Sequence, residues 1–120
     1  MNEINKKEIG RHGEEIACSF LESEGFNIIE RNYNFKKAGE IDLIAARENL
    51  LLFVEVKSRN TGRYGGALYS IGARKKRTLR LVANQFLASH PEFNKSGIIC
   101  RFDMIALENN EIRWVEDIFR

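Results

Sequence analysis

Asp42, Glu55 and Lys57 are the residues through which this chain most directly suggests a reaction. Glu55 and Lys57 fall near the end of Leu50-Leu51-Leu52-Phe53-Val54-Glu55-Val56-Lys57-Ser58, an apolar, β-branched run that reads as a buried central strand. Alternate residues of a strand share a face, so these two ionisable groups project together. A carboxylate in that setting is costly unless a cation or strong hydrogen bonds compensate it. The preceding run, Gly39-Glu40-Ile41-Asp42-Leu43-Ile44-Ala45-Ala46, has the same character and also carries acids.

Between the two runs lies Arg47-Glu48-Asn49-Leu50, short enough for a hairpin turn. With Glu48 and Asn49 as the loop, antiparallel pairing sets Arg47 opposite Leu50 and Ala46 opposite Leu51. Counting on, Asp42 falls opposite Glu55, and Glu40 opposite Lys57. A symmetric longer loop keeps this register, whereas an odd-numbered loop breaks it. In this register the Asp42 and Glu55 Cβ atoms stand roughly 4.5–5.5 Å apart. Two carboxylates so placed repel, and a hard divalent cation with oxygen ligands resolves the repulsion. Lys57 then lies beside the ion, where it can orient or deprotonate a water or stabilise charge on a phosphate. The competing reading is an exposed Glu55–Lys57 ion pair at a strand end; the acid on the neighbouring strand argues for the metal.

The elements that must position these groups follow from periodicity. Ile9, Gly13, Ile16 and Phe20, broadened by Ala17 and Leu21, predict a helix over about residues 5–24, ended by Gly25. On its wheel Glu14 sits at the edge of the apolar face and can reach over the sheet towards Asp42 and Glu55. Glu15 points to water, and a plain surface role remains open for Glu14. Phe26 to Phe35 reads as a first strand, and Lys36 to Gly39 as the turn into the second. After the catalytic strand, Arg59-Asn60-Thr61-Gly62-Arg63-Tyr64-Gly65-Gly66 is either a connector or a phosphate-contacting lid. A second helix, capped by Ser70, runs to about Ser89 ahead of Pro91. Its apolar stripe holds Ile71, Leu79, Val82 and Phe86, with Lys75 in its midst. Lys75 either snorkels to the edge or points at the sheet end to meet a phosphate. Lys76, Arg77 and Arg80 read as solvated charges or non-specific backbone contacts. Gly97 to Leu107 predicts a fourth strand, Asn109-Asn110 a turn, and Glu111 to Val115 a fifth. Asp103 either supports the acids from behind or, the reading preferred here, holds Arg101 or a loop, and Trp114 and Phe119 are expected to pack. The order α-β-β-β-α-β-β predicts an α/β fold with a mixed sheet flanked by helices.

At 120 residues the chain is expected to form one domain, residues 1–120. A net charge of +2 is too small to argue for nucleic acid by itself. Distribution says more: Arg74-Lys75-Lys76-Arg77-Thr78-Leu79-Arg80 concentrates positive charge, while Glu14, Glu40, Asp42 and Glu55 concentrate acids. A basic rim around an acidic pocket suits a metal-dependent enzyme acting on a polyanion. Cys18, Cys100, His12 and His90 lack zinc-ligand spacing, and both cysteines are expected in the core, reduced. No phosphate-binding glycine loop or nucleophile elbow is present. No apolar stretch approaches the ~20 residues of a membrane span, and the polar N-terminus lacks a signal-peptide pattern, so a cytoplasmic location is expected.

An acid followed by Glu-X-Lys at the end of a hydrophobic strand resembles the PD-(D/E)XK nuclease motif, with Ile41 where that motif's name has proline. Gly13-Glu14 with Ala17, Gly25, Arg31-Asn32-Tyr33, Gly39 to Ala45, Phe53 to Lys57 with Arg59, and Arg101-Phe102-Asp103 occur in order. Together they resemble the YraN-like family of small bacterial predicted endonucleases over nearly the whole chain. The resemblance implies a restriction-endonuclease-like fold, similar in design to archaeal Holliday-junction resolvases. It further implies a Mg²⁺-dependent nuclease, with Mn²⁺ as a substitute, acting on phosphodiester bonds of DNA, including branched or flapped DNA, and a homodimer. Asp42, Glu55, the Val56 carbonyl and Glu14 would bind the metal, and Lys57 would position the attacking water. Arg59, Arg63, Lys75 and Lys76 would contact the nucleic acid. The alternative is a non-catalytic nucleic-acid-binding module of the same fold, acting in DNA repair or recombination.

Overall fold

The computed structural model describes residues 6–59, 71–109 and 111–120, with the side chains of 6–11 and 59 outside the description. Its elements are α1 (Lys6–Ser23), β1 (Asn27–Phe35), β2 (Gly39–Arg47), β3 (Leu50–Arg59), α2 (Ala73–Ser89), a 3₁₀ turn (Pro91–Phe93), β4 (Ile99–Glu108) and β5 (Glu111–Phe119). The five strands form one mixed sheet in the spatial order β1-β2-β3-β4-β5. β3 and β4 are parallel, joined across α2, and every other neighbouring pair is antiparallel. The predicted α-β-β-β-α-β-β order is therefore the observed one. No helix among the described residues is long and apolar enough to cross a membrane.

Two apolar layers hold the sheet. Ala17, Cys18 and Leu21 of α1 pack against Leu43, Ala45, Leu52, Val54, Ile105 and Leu107 on one face. Leu79, Val82, Ala83 and Phe86 of α2 pack against Ile41, Ile44, Leu51 and Phe53 on the other. A sheet covered on both faces explains why the central strands read as continuous apolar runs. Helix α1 ends at a Schellman turn, in which Phe26 N–H donates to Leu21 O and Gly25 N–H to Glu22 O. Gly25, at φ +90°, occupies the predicted stop position.

The central hairpin turns through Glu48 and Asn49, with Arg47 opposite Leu50 and Ala46 opposite Leu51 as expected. Four expectations are corrected. The β2–β3 ladder ends at Leu43–Val54, so neither Asp42 with Glu55 nor Glu40 with Lys57 forms a ladder pair, and Glu40 lies opposite Asn34 of β1. Helix α2 begins at Ala73 behind Gly72, whereas the proposed cap Ser70 lies outside the described residues. β5 continues to Phe119, because a register shift between Phe102 and Met104 lets Phe119 pair with Phe102. Cys100 is exposed, because the first two residues of β4 lie outside the cover and burial begins at Asp103.

Candidate functional site

The site forms where the β1–β2–β3 ladders lose regularity. Pairing of β1 with β2 runs through Arg31–Leu43 and resumes at Tyr33–Ile41, leaving Asn32 and Asp42 opposite each other between those pairs. Leu43 belongs to the layer under α1, yet Ile41, two residues away, belongs to the layer under α2. In a regular strand residues two apart share a face, so β2 turns over at Asp42. Bulge-like irregularities of this kind re-aim side chains. Here the Asp42 carboxylate is turned into the plane of the sheet, where its Oδ2 accepts the Val56 N–H at 2.8 Å. That bond replaces the next rung of the β2–β3 ladder. An extended residue directs its N–H and C=O to the same side, so the Val56 carbonyl also faces the acids.

Three further carboxylates converge on Asp42. Glu14, from α1, and Glu40, from β2, bring oxygens that lie with an Asp42 oxygen within 4.8 Å of one another. Gly13 makes that approach possible: a Cβ there would meet Leu107 Cδ1 at 3.2 Å and Ser58 Cβ at 3.4 Å. The helix therefore sits close to the end of β3, with Glu14 partly buried at the site and Glu15 in solvent, as the helical wheel predicts. Glu55, next to Val56 on β3, acts on the Asp42 carboxyl from the neighbouring strand. It is only 7 % exposed. Lys75 of α2 closes that side, its Nζ 3.2 Å from Glu55 Oε2 while 42 % of the lysine side chain stays exposed. Of the two readings for Lys75, the side chain takes the one aimed at the sheet end.

Burial, then the Glu55 hydrogen bond and charge, push the Asp42 carboxyl from its ordinary 3.8 up to about 8. The Val56 N–H opposes that rise and the Glu14 charge adds to it. A set of carboxylate oxygens plus a backbone carbonyl, one acid pushed towards its protonated form by burial and by its acidic neighbours, is a donor set suited to a hard divalent cation.

The remaining candidates divide. Lys57 is partly buried on β3, two residues beyond Glu55. Lys76 lies over the Phe119 ring at 5.9 Å from its centroid, away from the acids, and Arg80 covers the same ring at 4.9 Å. Arg59 closes β3, its side chain beyond the description, and Arg63 lies outside the described residues. Asp103, fully buried, serves the architecture. It accepts Arg101 Nε and Nη2 and Trp114 Nε1, each at 2.8 Å, and the Asp117 N–H at 2.9 Å. Trp114 packs edge-on against Phe20 and Phe26.

Sequence reasoning gave no role to Asn32. Its Nδ2 donates to Glu14 Oε1 at 3.0 Å, Glu14 Oε2 at 3.1 Å and Glu40 Oε1 at 3.3 Å. The available signal was an asparagine within an otherwise strand-like run, a residue type that tolerates the left-handed backbone found there.

Fold and site together define a mixed α/β protein with a carboxylate centre at the irregular end of its central hairpin. Residues 13–107 match the model of the uncharacterised protein family UPF0102, and the chain belongs to that family. It is 44% identical to a UPF0102 protein of Natranaerobius thermophilus, over 97% of this chain and 100% of that one. Similar relatives include UPF0102 proteins of Desulforamulus reducens, 42% identical over 96% of this chain and 93% of that one, and of Shewanella oneidensis, 36% identical over 92% and 98%.

Proposed function

We propose that this protein is a metal-dependent nuclease of the PD-(D/E)XK, restriction-endonuclease-like type, hydrolysing phosphodiester bonds. The observation that carries the reading is the convergence of Glu14, Glu40 and Asp42 oxygens within 4.8 Å of one another, with Asp42 bonded to the Val56 N–H and Glu55 acting on the same carboxyl from β3. Asp42, Glu55, the Val56 carbonyl and Glu14 would hold Mg²⁺, or Mn²⁺ in its place. Bound there, the ion would supply Lewis-acid charge to offset the negative charge that builds on the phosphate. Lys57, on the same strand as Glu55, orients the attacking water. Lys75 exchanges Glu55 for a phosphate oxygen when substrate enters, because its half-exposed stem can swing without disturbing the core. Arg59 and Arg63, on the sequence pattern alone, would add phosphate contacts, with Lys76 at the periphery. DNA as substrate, its branched or flapped forms, and a homodimer follow from the likeness of the motifs to resolvase-type nucleases.

The test is cleavage of linear, flapped and four-way DNA with Mg²⁺ or Mn²⁺ by wild type and by Glu55→Ala. Loss of cutting with DNA binding retained supports the enzyme; equal cutting by both proteins refutes it.

One observation favours a second reading, a non-catalytic nucleic-acid-binding module. Lys75 pairs with Glu55 at 3.2 Å and offsets its charge. Under that reading wild type and the Asp42→Ala/Glu55→Ala double variant bind DNA alike, and neither takes up Mg²⁺ in calorimetry.

A further inference from the structure

We infer that Asn32 is the positioning residue of the acid centre, holding Glu14 in place and bringing Glu40 into the ligand set. The inference rests on the metal-dependent reading above. Glu14 and Glu40 come from different elements, α1 and β2, and carry like charges at the mouth of the site. Left alone, two such carboxylates separate into solvent. The Asn32 amide prevents this, because its Nδ2 donates both to the Glu14 oxygens and to Glu40 Oε1. A second amide, Asn34 Nδ2, lies 3.4 Å from the other Glu40 oxygen, Oε2.

The backbone sets the direction of the Asn32 amide. Asn32 stands at φ +51°, in the left-handed region, at the point where β1 and β2 change faces together. That conformation is disfavoured for most side chains and tolerated by asparagine, aspartate and glycine. Asn32 is itself exposed, so core packing does not explain an asparagine here. Its three bonds to carboxylate oxygens do. Amides and carboxylates that orient metal ligands from behind typically change metal affinity 10- to 100-fold when removed.

The left-handed backbone separates this role from a merely structural one. Asn32→Gly keeps the conformation and deletes the amide. Asn32→Asp keeps the conformation and shape but turns the donor into a further negative charge. Mn²⁺ binding is measured by calorimetry on wild type and both variants, with thermal melts in EDTA as the measure of folding. Expected are wild-type-like melts for Asn32→Gly and affinity weaker by roughly 10- to 100-fold. Expected for Asn32→Asp is an acid cluster that binds Mn²⁺ with a different stoichiometry or affinity from Asn32→Gly. Wild-type affinity in Asn32→Gly overturns the role of Asn32 and leaves the metal site standing. A wild type that binds no Mn²⁺ overturns the metal reading, and this inference with it. A melt of Asn32→Gly well below that of wild type, with metal affinity unchanged, assigns Asn32 to the fold alone and refutes the proposal.

Discussion

Proton and metal must compete for Asp42, and the competition has a predictable size. Burial and Glu55 hold the Asp42 carboxyl near a pKa of about 8 in the metal-free protein. A cation that uses this carboxylate displaces its proton, so apparent affinity falls about tenfold for each pH unit below that value. Between pH of about 8 and about 6 the expected loss is roughly 100-fold, flattening above. Calorimetry with Mg²⁺ in buffers of different ionisation enthalpy should show about one proton released per ion at the acidic end. Stability without metal has the same origin. The folded state keeps a proton that the unfolded chain, at its ordinary 3.8, has already lost. The contribution is therefore fully present below that value and disappears as pH rises towards about 8, at up to about 1.4 kcal/mol per pH unit. Melts in EDTA should fall with pH across this window, and saturating Mg²⁺ should reverse the fall. Asp42→Asn keeps an oxygen for the Val56 N–H and should flatten both curves. Affinity that does not change with pH in wild type, or an unaltered slope in Asp42→Asn, would refute the reasoning.

Three other outcomes are expected. Lys75→Met removes the cation that competes for Glu55, so Mg²⁺ should bind more tightly while DNA cleavage falls; weaker metal binding in calorimetry contradicts that placement. Gly39→Ala should destabilise by about 1–3 kcal/mol, because Gly39 lies at φ +141° and a Cβ there would stand 2.5 Å from Thr78 Cγ2. Adding Thr78→Ala should recover only the steric share in denaturant melts, and full recovery would remove the backbone argument. Asp103→Ala leaves the Trp114 and Asp117 N–H groups without their acceptor and Arg101 with Glu116 alone, and should cost about 1–3 kcal/mol for each buried donor left unpaired. Its metal affinity, measured where it remains folded, should match wild type; a weakened site would give Asp103 a role beyond the fold.

Much of this protein was legible in its residues. The apolar runs flanking Glu48 and Asn49, with polar residues only at the turn, specify the hairpin and its register near the loop. Helical spacing put Glu14 on the sheet side and Glu15 in water, because a wheel depends only on local geometry. Lys75 stood out because a charge inside an apolar stripe must go somewhere. The faces of β2 were harder to read. Ile41, Leu43, Ile44 and Ala45 are all fully buried, and a strand covered on both sides carries no alternation from which a reversal could be seen.

By itself, then, the sequence determined which groups are available: acids at positions 14, 40, 42 and 55 on elements that local periodicity defines. It also determined the order of those elements and the start of the hairpin ladder. Tertiary structure alone decided where the ladder stops, which way Asp42 turns, and that Asn32 stands over Glu14 and Glu40. The physical reason is that these outcomes depend on two strands reversing together between two helices. No single segment contains that balance of packing and hydrogen bonding; it exists only once α1, α2 and the sheet press on the same irregularity.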